Sequence, residues 1–329
     1  MKVKLFALIV LILAVLLAAC APQAQKPAPE TVRVRLKWLH QVQFAGIYTA
    51  LKEGYYADEN LDVVLDTVDF NQQVSYEKLL SGENDIAIGA PEELITGRSQ
   101  GKPVRAVAVI FRLNPVVFLA PMEAGITQPA DFLNKTIALS PGQVTILYDA
   151  MMSRLGLDRS QINEIPSPSY DFQECWQAAA ACPDYATNGY ARARAEGLDF
   201  TAVWPSEYGV PFYGDVLVVT DEYLQQHADV VQRFVRATLK GWQKAGENPE
   251  LAASATLEFD PELDRVVQLA ALKASLPLID TGEDRLGWMR PEVWQQMHDI
   301  LLEQHLIEGP FDVSTVYDNQ FVEQAYAAR

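Results

Sequence analysis

The sequence predicts an α/β protein of two lobes joined by two crossings, and three observations carry that prediction. Short apolar runs alternate with helix-like runs from residue 32 to residue 111, the pattern of a mostly parallel sheet covered on both faces. The alternation restarts near residue 120, and an apolar run at 215–220, DVLVVT, returns the chain to the first set. A chain of 329 residues also exceeds what a single core usually serves. The expected division is 32–118 plus 216–329 for lobe 1 and 119–215 for lobe 2.

The elements follow in order. Residues 32–38 read as a strand, and 43–52 as a helix stopped by Gly54. A second strand spans 61–68 and a short helix 74–80. The run DIAIG at 85–89 is a buried strand. A helix at 91–99 has Pro91 in its first turn, Glu92 and Glu93 close behind, and Gly101 after its end. Residues 104–111 form another strand. In the second set, 136–139 and 162–166 are strands with a helix at 144–155 between them. Residues 170–180 read as helical, and 185–187 and 200–203 as short strands. After the returning strand come helices at 222–226, 228–245, 249–256, 261–273 and 291–304. No tandem repeat of solenoid length appears.

The N-terminus reads as a lipoprotein leader. Lys2 and Lys4 precede an unbroken apolar run at 5–19, too short to span a bilayer and suited to a secretory signal. The run ends in Leu17-Ala18-Ala19-Cys20, which resembles a lipobox. Cys20 is therefore the expected lipidation site, and the mature chain is expected on the extracytoplasmic face of the cell membrane. Residues 20–31 then form a lipidated tether rich in Pro, Ala and Gln. With 43 acidic against 26 basic residues the net charge is −17, which disfavours nucleic acid and polyanionic ligands.

The motifs of several chemistries are missing. The sequence holds no phosphate loop, no H-E-x-x-H and no G-x-S-x-G. Its four histidines are dispersed, so neither a metal nor a cofactor is expected, and His227, His298 and His305 read as solvated. Cys175 and Cys182 either form a disulfide, which requires the segment to bend near Pro183, or remain free and buried.

Three blocks carry a family resemblance. LKWLHQVQFAGIYTALKEGYYADENLDV (36–63), SGENDIAIGAPEELITGRSQGKPVRAVAVIF (81–111) and the pair VWPSEYGVPFYGDVLVVTDEYL (203–224) and VRATLKGWQKA (235–245) resemble the NMT1/THI5-like solute-binding proteins. The resemblance implies a type II periplasmic-binding-protein fold, with two lobes around a ligand cleft and two hinge crossings. It also implies partnership with the permease and ATPase subunits of an ABC importer, and no enzymatic activity. Family ligands include thiamine pyrimidine precursors and, in one branch, riboflavin. Pyrimidine binders of the family commonly carry Asn-Glu-Pro where this chain reads Asn188-Gly189-Tyr190. Gly189 supplies no carboxylate, a loss of roughly 1.5–3 kcal/mol for an aminopyrimidine. The expectation is therefore riboflavin, with a formylaminopyrimidine-type precursor as the alternative. A THI5-like pyrimidine synthase is the distant alternative, and this sequence lacks the cysteine-rich motif such enzymes carry.

The candidate site residues sit at strand ends, where open α/β sheets bind ligands. Trp38 offers a stacking face. Gln41 and Gln43 offer amides, which donate and accept, beside free helix-start N–H groups. Pro91 and Glu92 open one helix. Ser140 and Gly142 open the first helix of the second lobe as a ligand cradle. Asn188, Trp204, Tyr213 and Asp215 complete the set, with Trp204 or Tyr213 as the second stacking face.

Overall fold

The computed structural model describes residues 27–68 and 75–327. The leader and Cys20 lie outside the described residues. The strands are β1 Glu30–Arg35, β2 Leu61–Asp66, β3 Ile86–Gly89, β4 Val104–Val109, β5 Val116–Pro121, β6 Thr136–Leu139, β7 Asn163–Pro166, β8 Cys182–Tyr185, β9 Phe200–Val203 and β10 Val216–Thr220. The principal helices are α1 Ala45–Lys52, α2 Pro91–Ser99, α3 Gln143–Arg154, α4 Gly189–Ala195, α5 Ala228–Glu247, α6 Pro249–Leu257, α7 Arg265–Ile279, α8 Pro291–Glu303 and α9 Gln320–Ala327. Among the described residues no helix is long and apolar enough to cross a membrane.

The first lobe is built on a five-stranded sheet of order β2-β1-β3-β10-β4. β1 is parallel to β2 and β3, whereas β10 is antiparallel to both β3 and β4. The sheet is thus mixed rather than mostly parallel. The chain returns from the second lobe running against the direction in which it left, so β10 enters the sheet reversed and separates β3 from β4.

The second lobe carries the antiparallel order β8-β5-β9 and the parallel pair β6-β7. A parallel bridge from Ile137 to Ala181 sets β6 against the residue preceding β8. The sequence reading omitted β5, because its apolar run is buried on both faces and has no period-2 alternation. It also drew 170–180 as one helix. The structure has a single turn, Phe172–Cys175, capped by Asp171, after which the chain bends. That bend brings the Cys175 and Cys182 Cα atoms to 6.2 Å, and the two form a disulfide.

Two close helix approaches fix the first lobe. A Cβ on Gly46 would meet Trp242 Cγ at 2.2 Å, and one on Gly241 would meet the Gly46 carbonyl oxygen at 2.1 Å. Glycine at both positions lets α1 cross α5 at backbone distance, which seats the start of α1 beside the sheet. The crossings between the lobes run side by side. Gly214 N–H donates to the Phe111 carbonyl at 2.7 Å, and Asn114 Nδ2 donates to the Tyr213 carbonyl at 2.7 Å. His227 and His305 are exposed as expected, but His298 is buried. The apolar face of α8 turns it inward, where it meets Asp299 and the Phe311 N–H.

Candidate functional site

β1 delivers the first group of site residues. Leu36 is the last buried residue of its apolar run, and Lys37 and Trp38 follow at the carboxyl end of the strand. The chain then turns through a short 3-10 segment, Val42–Phe44, into α1. Gln268 of α7 holds that turn by accepting from the Val42 N–H at 2.9 Å. The open N-terminal amide of the turn is thus satisfied from within the protein.

One buried carboxylate organises the floor. Asp215, 1% exposed, lies at the second crossing just before β10. Its Oδ1 accepts from Lys37 Nζ at 3.0 Å and from Tyr185 Oη at 3.1 Å, and its Oδ2 accepts from Gln43 Nε2 at 2.7 Å. Gln43 Oε1 in turn accepts from Gln41 Nε2 at 2.8 Å. Lys37 also donates to Tyr185 Oη at 3.3 Å. First lobe, crossing and second lobe therefore meet in one network. Burial lowers the Lys37 pKa, but the charges of Asp215, Tyr185 and Glu92 and the hydrogen bond to Asp215 together more than reverse this, so the ammonium titrates above the ordinary lysine value.

These groups face a cleft of about 420 Å³ between the lobes, within the size range of small-molecule sites. Lys37, Trp38 and Gln43 line one side, and Ser140, Tyr185 and Asn188 stand among the second-lobe residues on the other. At the mouth, Trp38 meets Tyr170 edge to face with ring centroids 5.9 Å apart. Tyr170 is 85% exposed. A second contact spans the lobes where Gln143 Nε2 donates to Glu92 Oε2 at 3.0 Å.

Two carboxyl groups near the cleft are shifted. Burial raises Glu92 to about 7, against the opposing pull of Lys37. Burial likewise raises Asp184 to about 7, although its Oδ1 accepts from the Tyr185 and Gly189 backbone N–H groups. A Cβ at position 189 would fall 1.9 Å from Asp184 Oδ2. The glycine in this segment is required by a neighbouring carboxyl group. Among the described residues no cluster of His, Cys, Asp or Glu has metal-binding arrangement.

The sequence candidates separate into three groups. Trp38, Gln43, Ser140 and Asn188 line the cleft. Gln41, Asp215 and Glu92 stand behind it, each bonded to a lining residue, and Gly142 sets the turn between the lining residues Pro141 and Gln143 with φ of 79°. Pro91, Trp204 and Tyr213 do not reach it. Pro91 is buried in the first turn of α2, whose register presents the exposed Glu93 to the cleft instead. Trp204 packs against Tyr190 at 5.1 Å in a separate cluster with Phe172 and Phe200. Tyr213 is 1% exposed, accepts from the Arg290 N–H and lies edge-on to Trp294. Both were chosen as aromatic residues near the return crossing, but Tyr213 is packed into the core against Trp294.

Sequence reasoning missed Lys37, Tyr170 and Tyr185. Lys37 had a signal: it is the last of three alternating basic residues, Arg33, Arg35 and Lys37, in an acidic chain, directly before the chosen tryptophan. Tyr185 had none, because its position depends on the bend at the disulfide.

Comparison with known proteins bears on this site. The family pattern described as NMT1/THI5 like matches residues 41–252. The riboflavin-binding protein RibY of Chloroflexus aurantiacus is 26% identical over 321 residues, covering 93% of this chain and 89% of that protein. The formylaminopyrimidine-binding protein of Halalkalibacterium halodurans is 29% identical over 333 residues, covering 95% and 99%. In fold, the periplasmic aliphatic sulphonate binding protein SsuA of Escherichia coli superposes with a TM-score of 0.70 at 15% identity, over 88% of this chain and 92% of that one. The architecture is that of the periplasmic binding proteins.

Proposed function

The chain belongs to the NMT1/THI5-like family, and we propose that, as a solute-binding protein of the ABC-importer type, it binds riboflavin and hands it to a membrane permease. The observation that carries the reading is the cleft itself. Trp38 and Tyr170 meet at its mouth, Tyr185 stands on its second-lobe wall, and a flat ring between the lobes has aromatic faces to stack on. A volume of about 420 Å³ suits a three-ring flavin and its ribityl chain, and is loose around one substituted pyrimidine. The serines at 140, 167 and 169 offer hydroxyl partners for such a chain. The likeness to RibY supports the same ligand.

The second reading keeps the class and changes the ligand to a formylaminopyrimidine-type precursor. It is favoured by the 29% identity that extends over 99% of the formylaminopyrimidine-binding relative. In either reading the protein binds without chemistry of its own. It works outside the cytoplasmic membrane, held there by lipid on Cys20 after removal of residues 1–19, and its partners are the permease and its ATPase. The lobes are taken to divide as 32–118 plus 216–329 and 119–215, so that the ligand closes one lobe on the other about the paired crossings.

The test is a titration of purified full-length protein with riboflavin, followed by flavin fluorescence. Saturable quenching at sub-micromolar riboflavin is expected from stacking. Unchanged fluorescence, with a melting temperature raised by formylaminopyrimidine, selects the second reading.

A further inference from the structure

The polar floor of the cleft is one-sided in its hydrogen bonding. Asp215, the acceptor at its centre, is buried behind the lining and takes all three of its bonds from the protein: Lys37 and Tyr185 on Oδ1, Gln43 on Oδ2. Gln43 Oε1 already accepts from Gln41. Tyr185 spends its hydroxyl proton on Asp215 and accepts from Lys37. What the floor offers most strongly toward the cleft is N–H, with the second lone pair of Gln43 Oε1 as its remaining acceptor. An ammonium has three donors, and Lys37 commits two of them, to Asp215 and Tyr185. Its side chain is 20% exposed and lines the cleft, which leaves the third donor for an occupant. Gln43 Nε2 likewise has a second N–H beyond its bond to Asp215.

The charge balance narrows the partner further. Lys37 is already neutralised by Asp215, and among the described residues the other charged groups in the lining are Glu93 and Asp184. Among the described residues, a carboxylate, sulphonate or phosphate entering this cleft meets no unpaired cation and two acidic groups. A neutral acceptor such as a heterocyclic carbonyl meets a charge-assisted donor without that penalty.

We propose that Lys37 is a specificity-determining ligand residue, donating its free N–H to a neutral carbonyl oxygen of the ligand, and that Asp215 and Tyr185 are positioning residues that aim it. The proposal rests on the reading of the cleft as the ligand site. It replaces the mixed donor-and-acceptor role expected of Gln41 and Gln43, whose amides bond first to each other and to Asp215. Both a flavin dione ring and a formyl group carry the required oxygen. An amine lacking any carbonyl does not.

The test uses full-length Lys37→Met and the double variant Lys37→Met/Asp215→Asn. The double variant removes the ammonium together with the carboxylate it would leave unpaired, so that folding and binding separate. Riboflavin and formylaminopyrimidine are each titrated into wild type and both variants, and urea unfolding is measured alongside. The expected result is a loss of affinity of at least tenfold in the double variant, with its unfolding midpoint close to wild type. If wild type binds riboflavin and the double variant binds it equally well, the proposal falls and the riboflavin reading stands. If wild type binds only formylaminopyrimidine, the riboflavin reading falls, and the same tenfold criterion applied to that ligand decides the proposal. If wild type binds neither, both fall.

Discussion

Asp215→Ala is the most informative change to the protein without ligand. Asp215 is 1% exposed and accepts three hydrogen bonds, one from the ammonium of Lys37, whose side chain is 20% exposed. Removing one partner of a buried pair costs about 3–5 kcal/mol, because the remaining charge stays buried. The partial exposure of Lys37 places this case near the lower end, about 3 kcal/mol. The pH dependence supplies a second reading. In wild type the Lys37 pKa is raised, so the pair's stabilisation is present below the ordinary lysine value and is lost as pH rises through the folded value. In the variant the burial that lowers the pKa persists without its main opposing charge. The folded variant then sheds the proton before the unfolded chain does, and its deficit shrinks as pH rises toward about 10. Urea unfolding followed by tryptophan fluorescence, at about pH 7 and about pH 9.5, measures both effects. A loss under about 1 kcal/mol, or a deficit that does not change with pH, would refute the assignment of Lys37 as a buried ammonium held by Asp215.

Other outcomes follow from the same geometry. Trp38→Ala should weaken riboflavin binding by roughly 1–3 kcal/mol in a fluorescence titration, with little change in melting temperature, since Trp38 is only half buried. Glu92→Gln should keep the Gln143 contact and abolish a pH slope. Burial raises the folded pKa of Glu92 from 4.5 to about 7, so wild type loses stability relative to the variant as pH rises across that window, by about 3 kcal/mol in all; parallel unfolding curves for the two proteins at every pH would contradict this. Replacing Cys175 and Cys182 together by alanine should lower stability by about 2 kcal/mol. It should also weaken binding, because the bridge ties together the segments carrying Ser169 and Tyr185.

What the sequence made legible was the part governed by local pattern. Val32 and Val34 alternate into the core, so the end of β1 was predictable, and with it Trp38 and Gln43 at the cleft. The helix starts at Pro91 and Pro249 followed from their prolines and early acidic residues. What failed depended on partners distant in the chain. The reversal of β10 relative to β3 is set by the return path from the second lobe. Tyr185 enters the site only because the chain bends between Cys175 and Cys182. Glu92 lies one residue from Glu93, and a one-residue register decides which of the two faces the cleft. Lys37 went unread for another reason: a lysine at a strand end is usually solvated, and only Asp215, far along the chain, makes it a fixed part of the floor.

The central claim, that this cleft holds a flavin, is tested most directly by equilibrium dialysis of the purified full-length protein against an equimolar mixture of riboflavin and formylaminopyrimidine. Mass spectrometry of the retained fraction identifies what is bound. Riboflavin retained in a one-to-one ratio with protein is the predicted result. Retention of the pyrimidine while riboflavin dialyses freely would contradict it.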